Sequence, residues 1–375
     1  KPIPRIEESH MSMDPINLYD YEARAKLTLS HDAWDFIDAG AMDEFTTRRN
    51  RSAFEDLTLR PRFLRDVEHR DISTTVLGEK ISMPVMVSPA GSHMVAHQDG
   101  ERATARGAGM SDTLMMLSTS SNYSMEEVAE AATGPLWFQL YHRGYDLTEM
   151  LVHRAEEAGF KAICLTVDTP SPSPKERDLR NQYTRGFELG NFRAVDRPQS
   201  EISGTDETPG WEVSRVQPIT WKELEWLRGL TSLPLVLKGI RTAEDAHVAV
   251  ENGVNGILVS THGGRQMDMT MGAIEMVPEV VAAAKGQAEV YVDSGVRRGS
   301  DVIKALALGA RAVAIGRPLY WGLAVNGAEG VHGVLELLRE EVDRAMSYCG
   351  QTNIQELEPN LVNIPHDWGP GRMAP

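Results

Sequence analysis

This sequence of 375 residues has little cysteine, no long apolar run and too few basic residues to balance its acidic ones. Two cysteines, Cys164 and Cys349, are too few for a disulfide framework or a cysteine zinc site, and no metal site is predicted. No run of about 18 apolar residues occurs, so no membrane-spanning helix is expected. The formal net charge of −16 argues against nucleic acid and anionic membranes as partners, because both bind basic patches. We therefore expect a protein of the reducing cytoplasm with neither kind of partner.

The two ends of the chain are predicted to lie outside the folded domain. Residues 1–15 lack the apolar core of a signal peptide, and we expect them to be a native tail or a remnant of expression. Helical spacing begins after them, around residues 19–25 and 32–37. One catalytic domain is predicted over residues 16–357, with a last helix near residues 330–346. Residues 358–375 are predicted to be an extended C-terminal tail.

Eight short apolar runs alternate with helical patterns along this domain. They lack alternation of polar and apolar residues, as strands buried on both faces do. Residues 245–260 and 301–316 repeat one unit of helix, glycine and strand. A doubly wound sheet would normally have fewer strands, so eight units predict a TIM (β/α)₈ barrel with an N-terminal helical extension. The runs are residues 84–88, 113–118, 136–141, 162–166, 233–238, 256–260, 289–293 and 312–316.

One connection in this pattern is much longer than the others. About residues 171–219 follow the fourth run and are rich in proline, serine, glycine and charge. Active sites of such barrels lie at the C-terminal ends of the strands, which is where this insertion begins. We therefore expect it to be a mobile lid over the site.

Polar and charged residues gather where the runs end. His262 and Arg265 follow the sixth run on a loop with two glycines, and a base beside a fixed cation suits an anionic substrate that loses a proton. Residues 293–300 and 316–318 are glycine-rich, contain arginines and follow the last two runs, which is the usual phosphate site of this fold. No Walker or dinucleotide fingerprint is present, so a different phosphate-bearing cofactor is expected.

Residues 259–268 (VSTHGGRQMD), with residues 293–299 (DSGVRRG), closely resemble the FMN-dependent L-2-hydroxy acid oxidase/dehydrogenase family. That family includes glycolate oxidase, lactate oxidase, lactate monooxygenase and mandelate dehydrogenase. The resemblance extends over residues 16–357 and implies oxidation of an L-2-hydroxy acid to the 2-oxo acid, by FMN at the barrel mouth. It implies O₂ or another electron acceptor, and a homo-oligomer that is often a tetramer. Loss of the α-hydrogen as a proton or as a hydride gives the same product.

The resemblance also implies roles for the residues at the strand ends. His262 would take a proton from the substrate, and Asp168 would orient and stabilise the imidazolium. Arg265 would bind the substrate carboxylate, and Tyr141 would hydrogen-bond the substrate. Lys238 would lie near N1 and O2 of the flavin, where a cation stabilises the reduced form. The implied FMN contacts are Pro89, Ala90 and Gly91 near the reactive edge, Ser118, Gln139, Thr166 and Ser260 along the polar edge or ribityl chain, and Asp293, Gly295, Arg297, Gly316 and Arg317 at the ribityl and phosphate end.

Two positions depart from the family pattern. Phe36 replaces a tyrosine that reaches the substrate carboxylate, and Lys175 replaces an arginine that pairs with it, so one hydroxyl and one planar fork are lost. Each charge-assisted hydrogen bond contributes roughly 1.5–3 kcal/mol, so we expect a small acid such as glycolate to bind worse than to a typical member of the family. Either the substrate is a bulkier acid that gains affinity through apolar contacts, or it is not a simple hydroxy acid. Trp137 is either beside that bulkier group or in the core. A register shift that lets Arg177 replace Lys175 is the alternative.

Two other functions remain as alternatives. One is another FMN barrel enzyme, such as a type 2 isopentenyl diphosphate isomerase, which the His-Gly-Gly-Arg loop and Asp168 disfavour. The other is a diverged flavoprotein that acts as a binding subunit. Phe36 and Lys175 favour that interpretation, whereas the presence of His262 and Arg265 disfavours it.

Overall fold

The computed structural model describes residues 14–171, 173–183, 186–195 and 219–365. The tail predicted over residues 1–15 therefore lies almost wholly outside the described residues, as do most of the predicted lid and residues 366–375. None of the described helices is long and apolar enough to cross a membrane.

Eight parallel strands close into a barrel, as predicted. Each strand pairs with the next along the chain, and the last returns to the first through the pairing of Ile315 with Val87. The barrel consists of β4 to β11, and the remaining strands form two short antiparallel pairs. The described strands are β1 (Thr58–Leu59), β2 (Thr74–Val76), β3 (Glu79–Ile81), β4 (Val85–Val87), β5 (Met115–Ser118), β6 (Leu136–Leu140), β7 (Ile163–Thr166), β8 (Leu235–Lys238), β9 (Gly256–Val259), β10 (Glu289–Val292), β11 (Ala312–Ile315) and β12 (Val362–Asn363).

Helices surround the barrel and extend its N-terminal side. Three of them precede the barrel; the third reaches Asp56, beyond the helical region predicted from the sequence. The last helical stretch begins at Arg317, but its backbone leaves the helical region at Asn326 and Gly327, so the helix predicted near residues 330–346 lies in the part after this kink. The described helices are α1 (Leu18–Thr28), α2 (His31–Asp38), α3 (Phe45–Asp56), α4 (Gly100–Met110), α5 (Met125–Ala131), α6 (Tyr145–Glu157), α7 (Glu176–Arg180), α8 (Trp221–Leu230), α9 (Ala243–Glu251), α10 (Ala273–Ala284), α11 (Gly299–Ala307) and α12 (Arg317–Cys349).

The barrel interior is a packed apolar core. Met86, Met116, Cys164 and Leu258 belong to it, separately from the larger core between the barrel and its helices. Trp137 is fully buried in this interior cluster, so of the two positions considered for it the core is the correct one. Two residues further along each strand, the same face becomes polar, because side chains alternate between the two faces. The reactive groups therefore gather above the core.

A β-hairpin closes the opposite end of the barrel. β2 and β3 pair in antiparallel register, and Val76 and Ile81 pack into the interior core. The C-terminal segment pairs Asn363 with Thr58, so part of the predicted extended tail is an ordered strand. A 3₁₀ turn over Pro359–Leu361 precedes it. In the part of the chain that the structure describes, the C-terminal ends of the barrel strands are thus the end left open for a site.

Candidate active site

A cavity lies at the C-terminal ends of the barrel strands. It contains about 1130 Å³ of empty space, part of which is open to solvent. Among the residues lining it, five basic side chains face one carboxylate, although the whole protein has a net charge of −16. This local excess of positive charge suits a ligand set with more than one anionic group. The basic residues are Lys175, Lys238, Arg265, Arg297 and Arg317, and the carboxylate is Asp293.

His262 and Asp168 form a buried pair beside this cavity. Nδ1 of His262 lies 3.1 Å from Oδ1 of Asp168, whose side chain is only 2% exposed. The second oxygen, Oδ2, has no hydrogen-bond partner among the described residues. Because a carboxylate only accepts, Nδ1 carries the proton and Nε2 remains a free acceptor. Nε2 lies 3.4 Å from the hydroxyl of Tyr141.

The environment of His262 keeps the imidazole neutral. Burial and the nearby charge of Lys238 lower the pKa of His262, while Asp168 acts in the opposite direction. Burial also opposes ionisation of Asp168, but His262 and Lys238 outweigh it and its pKa is lowered. At neutral pH the pair is thus an uncharged base and an ionised partner that stabilises the imidazolium once it forms.

The backbone of the His262 loop is bent into the left-handed region. The φ of His262 is 57°, and this residue begins a 3₁₀ turn over His262–Gly264. The Ser260 hydroxyl accepts the amide hydrogen of His262 at 2.9 Å. A Cβ on Gly264 would lie 2.6 Å from the backbone nitrogen of Thr47 in α3, so only glycine fits against that helix. Non-glycine residues in this region cost about 1–3 kcal/mol, which the surrounding contacts offset to place the imidazole.

Arg265 and Arg317 both bind the C-terminal end of α2. Nη1 of Arg265 donates to the carbonyls of Phe36 and Ala39 at 2.8 and 2.7 Å. Arg317 donates to the carbonyls of Ile37, Asp38 and Ala39 and of Gly263 at 2.9 to 3.2 Å. The carbonyls of Phe36, Ile37 and Asp38 lie in the last turn of α2, where no further backbone N–H of the helix can bind them. The two arginines therefore cap the helix. Both also line the cavity, and they therefore fix α2 against it.

Lys238 is a buried cation on the floor of the site. Its Nζ donates to the Ser260 hydroxyl at 2.9 Å and lies 3.6 Å from Oδ2 of Asp293. That carboxylate also accepts the hydroxyls of Ser88 and Ser294 at 3.1 and 2.7 Å. Burial opposes the charge of Lys238, but the carboxylates of Asp293 and Asp168 raise its pKa overall. Lys238 is therefore charged at neutral pH.

The loop after β10 is held by α3. Arg51 donates from Nη1 to the carbonyl of Gly295 at 2.9 Å and from Nη2 to Asp301 at 3.0 Å. The same aspartate accepts the amide hydrogen of Arg297 at 3.0 Å. A Cβ on Gly295, where φ is 98°, would lie 2.2 Å from the backbone oxygen of Asn50. Burial lowers the pKa of Arg297, and burial together with Arg265 lowers that of Arg317 to about 10, so an anionic ligand would stabilise both guanidinium groups.

Most of the predicted site residues are brought together at the cavity. Asp168, Gln139, Thr166 and Ser260 do not line it; they lie behind the wall and position residues that do. For example, Gln139 accepts from the Ser118 hydroxyl at 3.1 Å and donates to Thr166 at 2.9 Å. The predicted residues that line the cavity are Phe36, Pro89, Ala90, Gly91, Ser118, Tyr141, Lys175, Lys238, His262, Arg265, Asp293, Gly295, Arg297, Gly316 and Arg317.

The two departures from the family pattern both lie at the cavity. Phe36 and Lys175 line it, whereas Arg177 does not. Arg177 instead pairs with Asp38, Asp35 and Glu44 at 2.9, 3.2 and 2.7 Å. Lys175 is thus the basic residue of this segment that lines the cavity, which favours the alignment without a register shift.

Sequence reasoning missed the residues that support the site from α3. The amide of Asn50 donates to the Thr261 hydroxyl at 2.8 Å, and Arg51 binds the loop after β10. Nothing local distinguishes them from solvated polar residues of a helix. Thr169, Gln266 and Tyr320 also line the cavity. Of these three, only Gln266 had a local signal in the sequence for a place at the cavity, since it directly follows Arg265.

FMN fits this arrangement. Its phosphate suits Arg297 and Arg317, and an electron-rich ring suits a buried cation such as Lys238. A Cβ at Gly316 would meet no atom within 4 Å, so there is open space beside the residue that precedes α12, and a helix N-terminus favours a phosphate. The donor set matches a flavin mononucleotide at one end and leaves the Arg265 end for a second anion.

Comparisons with known proteins agree with this geometry. The family model described as FMN-dependent dehydrogenase matches residues 25–364. An L-lactate oxidase of Nostoc sp. is 45% identical over 366 residues, which cover 93% of this chain and 98% of the relative. Glycolate oxidase 1 of Zea mays is 46% identical over 347 residues, covering 91% and 94%. Among solved structures, a mandelate oxidase has a TM-score of 0.84 at 38% identity, covering 95% of this chain and 99% of that chain. A soluble mutant of (S)-mandelate dehydrogenase from Pseudomonas putida has a TM-score of 0.87 at 34% identity, covering 94% and 100%.

Proposed function

Because this chain belongs to the FMN-dependent dehydrogenase family, we propose that it uses His262, Asp168 and Arg265 to bind and deprotonate an L-2-hydroxy acid larger than glycolate, which FMN would oxidise to the 2-oxo acid. Membership of the family makes the protein an FMN-dependent 2-hydroxy acid oxidoreductase. One observation carries the proposal: the His262–Asp168 pair, Arg265 and Lys238 meet at a single cavity. The residue roles and the substrate size are the proposed part.

His262 acts as the base in this proposal. Its Nε2 accepts a proton from the substrate, and the ionised Asp168 stabilises the imidazolium that results. Tyr141, at 3.4 Å from Nε2, is in position to hydrogen-bond the same substrate group. FMN, when bound, would accept the two electrons and the second hydrogen that are released as the hydroxyl carbon becomes a carbonyl.

Arg265 binds the substrate carboxylate. Only Nη1 of its guanidinium donates to α2, so Nη2 and Nε remain for a carboxylate in the cavity. Lys175 adds a second positive charge without a planar fork. The FMN phosphate is assigned to Arg297, Arg317 and the loop containing Gly295.

The substrate end of the cavity supports a substrate with an apolar side chain. Phe36 contributes a ring with no hydroxyl, and this ring stacks on Tyr183 with centroids 5.0 Å apart. Cζ of Arg265 lies 5.5 Å from the centroid of the same ring. An apolar group gains contact with this aromatic surface, whereas glycolate has none to offer.

The experiment is anaerobic mixing of the FMN-loaded protein with a panel of aliphatic and aromatic 2-hydroxy acids. We expect bleaching of the flavin absorbance, faster with bulky acids than with glycolate. His262→Ala should abolish bleaching while FMN stays bound. His247→Ala, an exposed histidine paired with Glu251, is the matched control and should behave like the wild type. A protein that binds no FMN, or whose FMN no hydroxy acid reduces, would overturn the proposal.

The same experiment separates the alternative functions. Reduction by NADPH without any response to hydroxy acids would favour the isomerase. FMN that binds but is never reduced by hydroxy acids would favour a binding subunit. Neither alternative explains the Nδ1–Asp168 contact of His262 or the cluster of cations at the substrate end.

The electron acceptor and the assembly complete the proposal. We infer that O₂ or another acceptor reoxidises the cofactor, which oxygen uptake and dye reduction distinguish. A homotetramer is proposed from family membership, and sedimentation or light scattering of the purified holoprotein tests it.

A further inference from the structure

The segment over residues 173–183 rests on α2 at the substrate end of the cavity. The ring of Tyr183 stacks on Phe36, and Nδ2 of Asn181 donates to Oδ2 of Asp35 at 2.9 Å. On the other side, the Ser173 hydroxyl donates to the carbonyl of Gln266 at 2.5 Å. The segment thus spans from the N-terminal helices to the loop that carries His262.

Arg177 is the ionic centre of this contact. Its Nη1 lies 2.9 Å from Asp38 and 3.2 Å from Asp35, and its Nη2 lies 2.7 Å from Glu44. One guanidinium of α7 therefore holds three carboxylates from α2 and from the turn that follows it. The arginine side chain is 27% exposed and Asp35 only 10%, so solvent screens this cluster incompletely.

The carboxylate of Asp35, one of the three around Arg177, is charged at neutral pH. Burial opposes ionisation of Asp35, but hydrogen bonds from Asn181 and Arg177 outweigh it and lower its pKa. His31 lies 3.3 Å from the same carboxylate, on the exposed side. Without the guanidinium, three carboxylates of α2 and of the turn after it would lie close together with no cation between them, and α7 would lose its ion pairs with α2.

We propose that Arg177 is a positioning residue, which latches α7 onto α2 and so holds Lys175 and Phe36 at the substrate end of the cavity. Lys175 is the N-cap residue of α7, two positions before Arg177, and Phe36 follows Asp35 directly. Both line the cavity, whereas Arg177 does not. Arg177 therefore acts on the substrate only through these two residues. The inference rests on the proposed function, since it assigns the role by its effect on substrate binding.

The experiment measures KM and kcat of the FMN-loaded holoenzyme for the most reactive hydroxy acid. Arg177→Ala should raise KM about tenfold, the scale of one charge-assisted bond, and leave kcat and FMN affinity nearly unchanged. Arg177→Lys keeps the charge and should recover part of the effect. Arg180→Ala is the matched control: Arg180 is 69% exposed, pairs with Glu176 in its own helix and should have no effect.

A double-mutant cycle with Lys175→Ala tests how Arg177 acts. If the arginine works through Lys175, the double variant should be less impaired than the product of the two single effects. An unchanged KM in Arg177→Ala, or fully multiplicative effects in the double variant, would overturn the latch. So would a loss of FMN affinity that parallels the rise in KM, since it would mark a general structural role. Failure of the wild-type holoenzyme to be reduced by any hydroxy acid would instead refute the proposed function. Should Arg177→Ala not fold, Glu44→Gln removes one ion pair of the latch and should raise KM in the same direction.

Discussion

Replacing Asp168 by asparagine tests the proposed base most directly. The change keeps the size of the side chain and removes the charge that faces Nδ1 of His262 at 3.1 Å. The imidazolium that forms during the reaction would then lie beside the cation of Lys238 with no counterion of its own. Removing one partner of a buried ion pair costs about 3–5 kcal/mol, and each 1.36 kcal/mol is tenfold in rate, so the reduction rate should fall roughly 10²–10⁴-fold.

The pH profile of the same variant is an independent test, because the direction of its shift is predicted. Burial and Lys238 lower the pKa of His262 below 6.5, and Asp168 raises it. Loss of Asp168 must therefore lower that pKa further. The rate depends on the neutral imidazole, so the acidic limb of the profile should move to lower pH while the plateau falls.

The assay is single-turnover flavin reduction without oxygen, which excludes product release and reoxidation from the measured rate. FMN affinity should be unchanged, because Asp168 does not line the cavity. A plateau rate within about threefold of the wild type would refute the stabilising role, since such a change amounts to less than one kcal/mol. A shift of the acidic limb of the pH profile to higher pH would refute the charge states assigned to His262 and Asp168.

Three further outcomes follow from the site. Arg265→Lys removes the planar guanidinium and should lower kcat/KM about 10–100-fold, as expected for a lost charge-assisted bond. A loss below threefold would assign binding of the substrate carboxylate to another residue. Combined Phe36→Tyr and Lys175→Arg restores a hydroxyl and a fork, and should shift the ratio of kcat/KM values toward glycolate by about tenfold; an unchanged ratio would contradict the substrate-size argument. Gly295→Ala would place a Cβ 2.2 Å from the backbone oxygen of Asn50 in α3 at a φ of 98°, so FMN affinity, measured by flavin fluorescence, should fall sharply. Gly229→Ala meets nothing within 4 Å and should leave that affinity unchanged.

Local sequence patterns determined the barrel and the residues that project from its strand ends. A buried parallel strand must be apolar on both faces, so runs such as residues 256–260 mark strands by composition alone. The next polar residue then lies at the open end of the barrel, and this rule alone assigns Lys238 and His262 to one site. The last helix was less well bounded, since glycines interrupt the helical pattern before residue 330 and the backbone leaves the helical region at Asn326 and Gly327.

Which residues hold the site in place depends on tertiary structure alone. Arg51 and Asp301 are 250 residues apart, and Arg177 and Asp35 are 142 apart, yet each pair forms an ion pair. Local spacing has no information about such partners, because a charged residue on a helix looks the same whether it faces solvent or a loop from another part of the chain. Local spacing also could not distinguish Lys175 from Arg177, because both are basic residues in one short segment. The fold places Lys175 at the cavity and Arg177 against three carboxylates. Sequence determined which chemistry the site contains, and packing between distant segments decided which residues hold it in place.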